Sequence, residues 1–346
     1  MEIAELGEFG LIRRLTKDMA PRQASTLRGV GDDCAVIAST DNEVTVLSTD
    51  MLMEGVHFDL VYTPLKHLGY KAIVVNLSDI YAMNATPRQV TVSLAIGKRF
   101  QVEDIEALYD GMRLACEKYG VDIVGGDTTA SKTGLAISIT AIGTARPEDI
   151  TYRCGAKETD LVCVSGNLGA AYMGLQLLER EKSVYMQQVR KSGKNDTPFE
   201  PDFSGREYLL ERQLKPEARR DIIEQLREAG IHPTAMMDIS DGLSSELLHI
   251  CHESTCGCRI YEERIPLDYQ TAVTAEELNL NVTTCALNGG EDYELLFTVP
   301  LQDKDRVEQL EDVKTIGYIC KAEQGKTLVT RDGAEFTLKA QGWNPM

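Results

Sequence analysis

The sequence predicts a mixed fold with α+β and α/β character, built from two lobes, and three observations support it. Strand-like and helix-like segments alternate along the whole chain, which favours this class over all-helical and all-β folds. The 346 residues exceed what one hydrophobic core usually organises. The first set of elements ends near Pro147. We therefore expect an N-terminal lobe over residues 1–147 and a C-terminal lobe over residues 148–346.

The N-terminal lobe is predicted to contain strands and two long helices. Residues 44–50 and 89–97 have the composition of strands, and about residues 65–83 between them have helical character. A second helical stretch covers residues 102–119. It leads into the segment VDIVGGD and then a strand that ends at Ala145.

The C-terminal lobe is predicted to begin with an apolar strand at residues 161–166, followed by a helix from Ala170 to about residue 178. Residues 181–205 are polar, contain two prolines and show no helical or strand period. For that stretch we expect a long mobile connection. The segment MMDISDG and a group of strands from Tyr293 onward complete the lobe.

Composition restricts the class of partner and the compartment. Acidic residues outnumber basic ones 54 to 36, and the formal charge of −18 disfavours nucleic acid as a partner. No run approaches the roughly 20 apolar residues that span a bilayer. The first residues include Glu2, Glu5 and Glu8, where a signal peptide needs positive charge. A cytoplasmic location without membrane contact is expected.

Cysteine usage predicts reduced thiols rather than a disulfide framework. The chain has nine cysteines, an odd number, and none forms a CxxC pair. Cys251, His252, Cys256 and Cys258 are close in sequence. A zinc site there is the weaker alternative, because a helix followed by a strand explains the same spacing.

Aspartates in apolar or small surroundings mark a candidate metal site. They are Asp33, Asp50, Asp79, Asp127, Asp238 and Asp241. Burying so many like charges without a cation is costly. Hydroxyl neighbours such as Ser48 and Thr49, and the lack of a nearby Cys or His pair, favour Mg²⁺. Each aspartate taken alone could be a turn former or a helix cap, although Asp79 lies inside a helix-like run, three residues after Asn76.

Glycine-rich segments could bring backbone N–H groups close to phosphate. VGGD, SGNLG and NGGED each follow an apolar segment. Each is a weak signal alone, because glycine is also the usual loop residue. The familiar Walker A, GxGxxG, HRD and DFG motifs are absent. A nucleotide enzyme with this sequence therefore belongs to another class.

A series of motifs resembles the thiamine-monophosphate kinase family. They are GEFGLI, GDDCAVI, LSTDMLMEGVHF, NLSDIYAM, GGDTT, RCGAK, DISDGL and GGEDYELLF, and the resemblance as a whole runs from Glu8 to Trp343. The resemblance implies an aminoimidazole ribonucleotide synthetase-like fold. It also implies a homodimer in which the N-terminal lobes pair their sheets, with each active site between the lobes of a chain.

The resemblance also implies roles for single residues. The implied magnesium ligands are Asp33, Ser48, Thr49, Asp50, Asp79, Asp127, Asp238 and Asp241. Nucleotide contacts are implied for Tyr109, Gly126, Asp127, Arg153 and Ser240. Contacts with thiamine monophosphate are implied for His57, Glu291 and Trp343. Of the carboxylates, Asp50, Asp127 and Asp241 are expected to be catalytic.

Three of these residues also have an interpretation without a functional role. Arg153 could be a surface arginine, His57 a core histidine, and Glu291 part of a solvated EDYE run. The family pattern makes function the better interpretation of all three. Cys154 after Arg153 and the stretch 181–205 depart from the pattern.

The implied reaction is direct in-line transfer of the γ-phosphoryl group of ATP to thiamine monophosphate, supported by several Mg²⁺ ions. A phosphate monoester is mostly deprotonated at neutral pH, so charge repulsion is the main obstacle. The alternatives are another ATP-using synthetase of the superfamily and a non-catalytic nucleotide sensor. A selenophosphate synthetase would have a reactive Cys and a Lys in a glycine-rich N-terminal segment, which is not seen before Gly29.

Overall fold

The structure is a computed structural model that describes residues 3–39, 42–192, 201 and 203–341. After helix α1 (Ile3–Thr16), the N-terminal part forms a six-stranded sheet of order β1-β2-β3-β6-β4-β5. Its strands are β1 (Thr26–Arg28), β2 (Ala35–Ala38), β3 (Val44–Met53), β4 (Thr86–Gly97), β5 (Asp122–Ser131) and β6 (Ala136–Ala145). Neighbouring strands are antiparallel except β4 and β5, which are parallel. The predicted strands are confirmed, and β3 and β4 are longer than expected.

Two long helices, α2 (Leu65–Ala82) and α3 (Val102–Tyr119), pack together beside this sheet. The bounds of α3 agree with the prediction because both ends carry local signals. At its start the Gln101 N–H donates to the Asp104 carboxylate at 2.8 Å, and at its end Gly120 adopts φ 70°. Helix α2 has apolar residues on nearly all sides, as expected of a buried helix.

Two glycines allow α2 and α3 to approach closely. A Cβ added to Gly69 would lie 1.9 Å from the carbonyl oxygen of Leu108, and one added to Gly111 would lie 1.8 Å from that of Lys66. Any side chain at either position would therefore push the helices apart. This contact fixes the position of α2, which carries several candidate site residues.

The C-terminal part forms a seven-stranded sheet of order β13-β12-β9-β11-β7-β10-β8. Its strands are β7 (Leu161–Ser165), β8 (Ala235–Asp238), β9 (Gly257–Tyr261), β10 (Leu295–Val299), β11 (Val313–Cys320), β12 (Lys326–Val329) and β13 (Glu335–Thr337). The accompanying helices are α4 (Ala170–Ser192), α5 (Glu207–Leu214), α6 (Arg220–Glu228), α7 (Leu243–Glu253), α8 (Tyr269–Glu277), α9 (Val282–Asn288) and α10 (Lys304–Val307). Strands β7, β8 and β10 are buried along their whole length, which explains their continuous apolar runs.

The predicted irregular connection at residues 181–205 was wrong over its first part, because α4 continues to Ser192. The apolar side chains of this extension are exposed, such as Val184 and Met186, or only half-buried, so it lacks a fully buried apolar stripe. Its Glu, Lys, Gln and Arg residues favour a helix by intrinsic propensity alone. The part of the prediction that falls on residues 193–200 and 202 lies outside the described residues.

One hydrophobic core continues from the first sheet into the second. It includes Val46 on β3, Leu77 on α2 and Phe297 on β10, all with no solvent exposure. Helix α2 also contacts β8 directly. Side chains of α2 therefore meet both sheets, and this meeting point is where the candidate site lies. None of the described helices combines the length and apolarity needed to cross a membrane.

Candidate metal and phosphate site

Three carboxylates from three different elements meet where α2 contacts β8. Asp33 precedes β2, Asp79 lies near the end of α2, and Asp238 ends β8. One carboxylate oxygen from each lies within 4.8 Å of the others. Among the described residues, no other group of three His, Cys, Asp or Glu side chains is this close. We call Asp33, Asp79 and Asp238 the acidic cluster.

Hydroxyl groups on both sides of the acidic cluster orient its carboxylates. Ser48 on β3 donates to Asp79, and Ser78 on α2 donates to Asp238 at 2.5 Å. Asn76, one turn before Asp79, accepts the backbone N–H of Asp50 at 3.1 Å. The Asn76 side chain therefore ties β3 to α2 beside the cluster.

Burial and mutual repulsion dominate the electrostatics of the acidic cluster. Burial raises the pKa of Asp33. The pKa of Asp79 is raised well above its usual range by burial and then by the nearby charge of Asp50. Burial and the charge of Asp33 raise the pKa of Asp238 to about 7. The Oδ2 atom of Asp33 is buried without a hydrogen-bond partner among the described residues. A cation bound here would relieve both the repulsion and the lost hydration.

Arg153 provides a cation at one edge of the acidic cluster. Its Nη2 lies 2.5 Å from Oδ1 of Asp33, and its backbone N–H donates to Asp32 at 3.1 Å. Burial opposes the charged guanidinium, but the Asp33 carboxylate outweighs it and raises the Arg153 pKa. Arg153 is mostly buried and paired, so the surface-arginine alternative is wrong.

Asp241 lies in the turn between β8 and α7, three residues after the acidic cluster's Asp238. Its backbone N–H donates to Oε1 of Glu246, on the first turn of α7, at 2.9 Å. Glu246 is buried, its Oε2 has no hydrogen-bond partner in the described residues, and burial followed by Asp241 raises its pKa. Glu246 thus adds a carboxyl group next to the predicted metal ligands.

Thr49 and Asp127 lie on the opposite face of the N-terminal sheet. Side chains alternate along a strand, so Ser48 faces α2 while the Thr49 hydroxyl accepts from Thr140 at 3.1 Å on the other face. Asp127 on β5 is in register with exposed Ser93 and shares that outer face. The structure therefore does not bring these two predicted ligands to the acidic cluster of the same chain.

The remaining predicted nucleotide contacts are partly or fully exposed. Tyr109 lines an apolar groove of about 450 Å³ along α3, together with Phe100, Ile105 and Arg113. Gly126 lies on edge strand β5. Ser240 is exposed in the turn after β8. Gly126 and Ser240 are exposed and therefore accessible to a ligand.

The predicted acceptor contacts have different environments. The Nδ1 atom of half-buried His57 accepts the Met53 N–H at 3.0 Å, which holds the ring against its own loop. Glu291 pairs with Lys71 of α2 at 2.9 Å. Trp343 lies outside the described residues. Burial, followed by the charges of Glu291 and Asp50, raises the pKa of Tyr293.

The EDYE segment is a buried network, so the solvated-run alternative is wrong. Asp292 accepts the backbone N–H of Gly169 at 2.6 Å, just before α4. Glu294 accepts from Ser165 and pairs with Arg212 at 2.9 Å. The glycine-rich SGNLG turn is therefore held by these carboxylates, whereas Glu291 alone of the three acids retains partial exposure.

Comparison with known proteins gives one consistent result. Residues 31–145 match the family described as AIR synthase related protein, N-terminal domain. The thiamine-monophosphate kinase of Aquifex aeolicus (strain VF5) is 35% identical over 343 residues, covering 99% of this chain and 99% of that protein. That of Bacillus subtilis (strain 168) is 31% identical, covering 98% of this chain and 99% of that protein. The chain belongs to the thiamine-monophosphate kinase family.

Structural comparison agrees with this family assignment. A solved structure of AaThiL complexed with AMPPCP and TMP aligns with a TM-score of 0.81 at 34% identity, covering 99% of this chain and 98% of that one. The predicted resemblance to thiamine-monophosphate kinases and the predicted aminoimidazole ribonucleotide synthetase-like fold class are both confirmed. The pairing of N-terminal lobes in a dimer stays a prediction.

Several residues of this thiamine-monophosphate kinase family member were missed by sequence reasoning. They are Asp32, Lys71, Ser78 and Glu246. Lys71 had a usable signal, because it is a charged residue inside the apolar run of a buried helix. Asp32 and Ser78 immediately precede predicted ligands in sequence, but adjacency alone does not show which side chain is buried.

Proposed function

We propose that this chain is a kinase that transfers the γ-phosphoryl group of ATP to thiamine monophosphate, forming thiamine diphosphate. The observation that carries the proposal is its similarity, at 34% identity over nearly the whole chain, to AaThiL complexed with AMPPCP and TMP. The acidic cluster and paired Arg153 supply the carboxylates and the cation that such a reaction needs near its phosphates.

The residues of the acidic cluster fit a site for Mg²⁺. They offer hard oxygen ligands, their pKa values are raised by burial, and Asp33 has an orphaned buried oxygen. We propose Asp33, Asp79 and Asp238 as the central ligands, with Ser48, Asp50 and Asp241 beside them. Magnesium, when bound by these residues, would supply positive charge that lowers the repulsion between the substrate phosphates.

The chain's own residues would bind and orient the two substrates. Asp33 and Asp32 hold the Arg153 guanidinium and backbone at the edge of the cluster, from which its remaining donors can bind a phosphate oxygen. The Tyr109 groove would bind the base of ATP. On the acceptor side, His57, Glu291 and Trp343 would hold the flat cationic ring system.

No strong base is required for this transfer, because the acceptor phosphate is already mostly deprotonated at neutral pH. Positioning and charge neutralisation would supply most of the rate enhancement. We therefore propose direct in-line transfer without a phosphoenzyme. After incubation with γ-labelled ATP and Mg²⁺ but no acceptor, the denatured protein should carry no label, and label that chases into product would contradict direct transfer.

We further propose a homodimer in which the two N-terminal sheets pair. Support comes from the outer face of the N-terminal sheet, which exposes Met51 and Met53 on β3, and from the exposed ten-residue edge strand β5. The N-terminal lobe is proposed to end near residue 147, before β7.

The decisive experiment measures ADP release with and without thiamine monophosphate, together with the product. We expect release that depends on both Mg²⁺ and thiamine monophosphate, with thiamine diphosphate formed in equal amount. Release driven instead by an aminoimidazole precursor or by selenide would identify another synthetase of the superfamily. ATP binding without turnover on any of these acceptors would identify a sensor.

A further inference from the structure

Lys71 is a buried cation that crosses from the N-terminal helix pair into the C-terminal part. Its side chain is only 5% exposed. The Nζ atom donates to Oε2 of Glu291 at 2.9 Å and to the backbone oxygen of Gln213, on α5, at 3.0 Å. Three elements therefore converge on one ammonium group. A lysine held by two acceptors in this way has little freedom to leave the carboxylate.

The Glu291 carboxylate is fixed on one oxygen only. Its Oε2 also accepts from Nε2 of Gln213 at 2.7 Å, so two donors converge on the same atom. For Oε1 no hydrogen bond is seen within the described residues. The side chain is 26% exposed. The arrangement thus holds one oxygen and leaves the other to face a ligand.

The backbone of Glu291 is fixed as well. Its φ of 67° lies in the left-handed region, which is unfavourable for a residue other than glycine or asparagine. Its N–H donates to the Ser240 oxygen at 2.7 Å, in the turn that follows the acidic cluster. Glu291 therefore combines a strained backbone with a side chain held on one oxygen. We interpret this combination as a device that fixes the orientation of the Glu291 carboxylate.

We propose that Lys71, with Gln213, is a positioning residue that aims Oε1 of Glu291 at the thiamine monophosphate acceptor. This inference rests on the proposed function. Thiamine carries a cationic thiazolium and an amino group on its pyrimidine, and both are suited to a carboxylate oxygen. Lys71 itself does not reach the substrate, because its ammonium is buried and already bonded. Lys71 therefore acts through Glu291 on the affinity for thiamine monophosphate.

An ordinary inter-lobe ion pair is the competing explanation. Such a pair would stabilise the protein and have no preference between the substrates. Lys71 is buried and Glu291 partly buried, so replacing Lys71 would leave the Glu291 carboxylate without its cation and lower the stability of the protein. A test must therefore separate substrate selectivity from stability.

The experiment measures KM for each substrate and the melting temperature of five variants, one of them a control. In Lys71→Met, the KM for thiamine monophosphate should rise about 10- to 100-fold while the KM for ATP changes less than about 3-fold. Gln213→Met removes the side-chain donor but keeps the backbone acceptor of Lys71, so a smaller change in the same direction is expected. Glu291→Gln should raise the same KM.

The double variant Lys71→Met with Glu291→Gln tests whether Lys71 acts through Glu291. If it does, the double variant should have a KM for thiamine monophosphate no higher than Glu291→Gln alone. The matched control is Arg227→Met, which removes another inter-lobe contact, to Asn84 at 2.7 Å, far along the chain from Glu291. Arg227→Met should have a lower melting temperature than wild type, with the KM values for ATP and thiamine monophosphate both unchanged.

Three results would overturn the inference and leave the proposed function intact. The first is wild-type turnover of thiamine monophosphate with an unchanged acceptor KM in Lys71→Met. The second is an equal rise of both KM values. The third is full additivity in the double variant. Wild-type protein that fails to phosphorylate thiamine monophosphate would instead refute the proposed function itself.

Discussion

The Ser78 hydroxyl on α2 donates a 2.5 Å hydrogen bond to Oδ2 of Asp238 at the end of β8. The preceding helix residue is buried Leu77, and the residue after Ser78 is Asp79 of the acidic cluster. One turn of a buried helix thus contributes a core side chain, a hydrogen-bond donor and a carboxylate. The packing of the two sheets around α2 therefore also brings the site residues together.

Asp79→Asn should separate stability from turnover. Removing one buried carboxylate relieves repulsion within the cluster, so the melting temperature of the metal-free protein should rise by a few degrees. Turnover should fall by about 100-fold or more, because a central ligand is lost. Calorimetry in chelator and steady-state kinetics over a magnesium titration check both effects.

A control variant is available for Asp79→Asn. Asp160 is buried and accepts from the Thr234 hydroxyl and the Lys157 N–H, away from the acidic cluster. Asp160→Asn should keep normal turnover and should not gain stability in chelator. Equal magnesium dependence and turnover in wild type and Asp79→Asn would contradict the metal-ligand proposal.

The stability of the metal-free protein should depend on pH through Asp238. Its pKa is raised to about 7 in the folded protein from a usual 3.8, chiefly by burial and then by Asp33. The folded state therefore binds this proton more tightly than the unfolded state. The protonated Asp238 therefore contributes its full stabilisation below its usual pKa of 3.8, and this contribution is lost as the pH rises through about 7.

Asp238→Asn provides the comparison for this pH dependence. Relative to wild type in chelator, the melting temperature of Asp238→Asn should rise progressively between about pH 4 and pH 7, because only the wild type has the Asp238 carboxyl to ionise. Magnesium affinity of the wild type should increase over the same interval, since binding displaces protons. A melting-temperature difference that stays constant with pH would show that Asp238 does not titrate there.

Local sequence signals located the elements well, whereas contacts between distant residues could not be inferred. The bounds of α3 follow from its own capping residues, and buried strands such as β7 follow from continuous apolar runs. Asp79 was predicted to be a site residue because it lies inside an apolar helical run, where neither a helix cap nor a turn explains a carboxylate. The Lys71 contact with Glu291 joins residues 220 positions apart, and no local pattern encodes that distance. Likewise, only strand register reveals that Asp127 faces away from Asp79.

Trp343→Ala tests the proposed acceptor site near the end of the chain. A tryptophan stacked on a thiazolium or aminopyrimidine ring contributes through cation–π and stacking contacts. Its removal should raise the KM for thiamine monophosphate about 2- to 30-fold with little change for ATP, and Trp343→Phe should recover part of the loss. A lower melting temperature with unchanged substrate preference would indicate a packing role instead.

The separation of Asp127 from the acidic cluster predicts that two chains share a site. If both Asp79 and Asp127 are needed for turnover, and the two face opposite sides of one sheet, the partner chain must supply Asp127. Asp79→Asn and Asp127→Asn should each be inactive as homodimers. A heterodimer of the two, isolated through two different affinity tags, would contain one intact site and should show about half of wild-type activity. An inactive heterodimer would mean that both aspartates act within the same chain, and failure to isolate any heterodimer would contradict the proposed dimer.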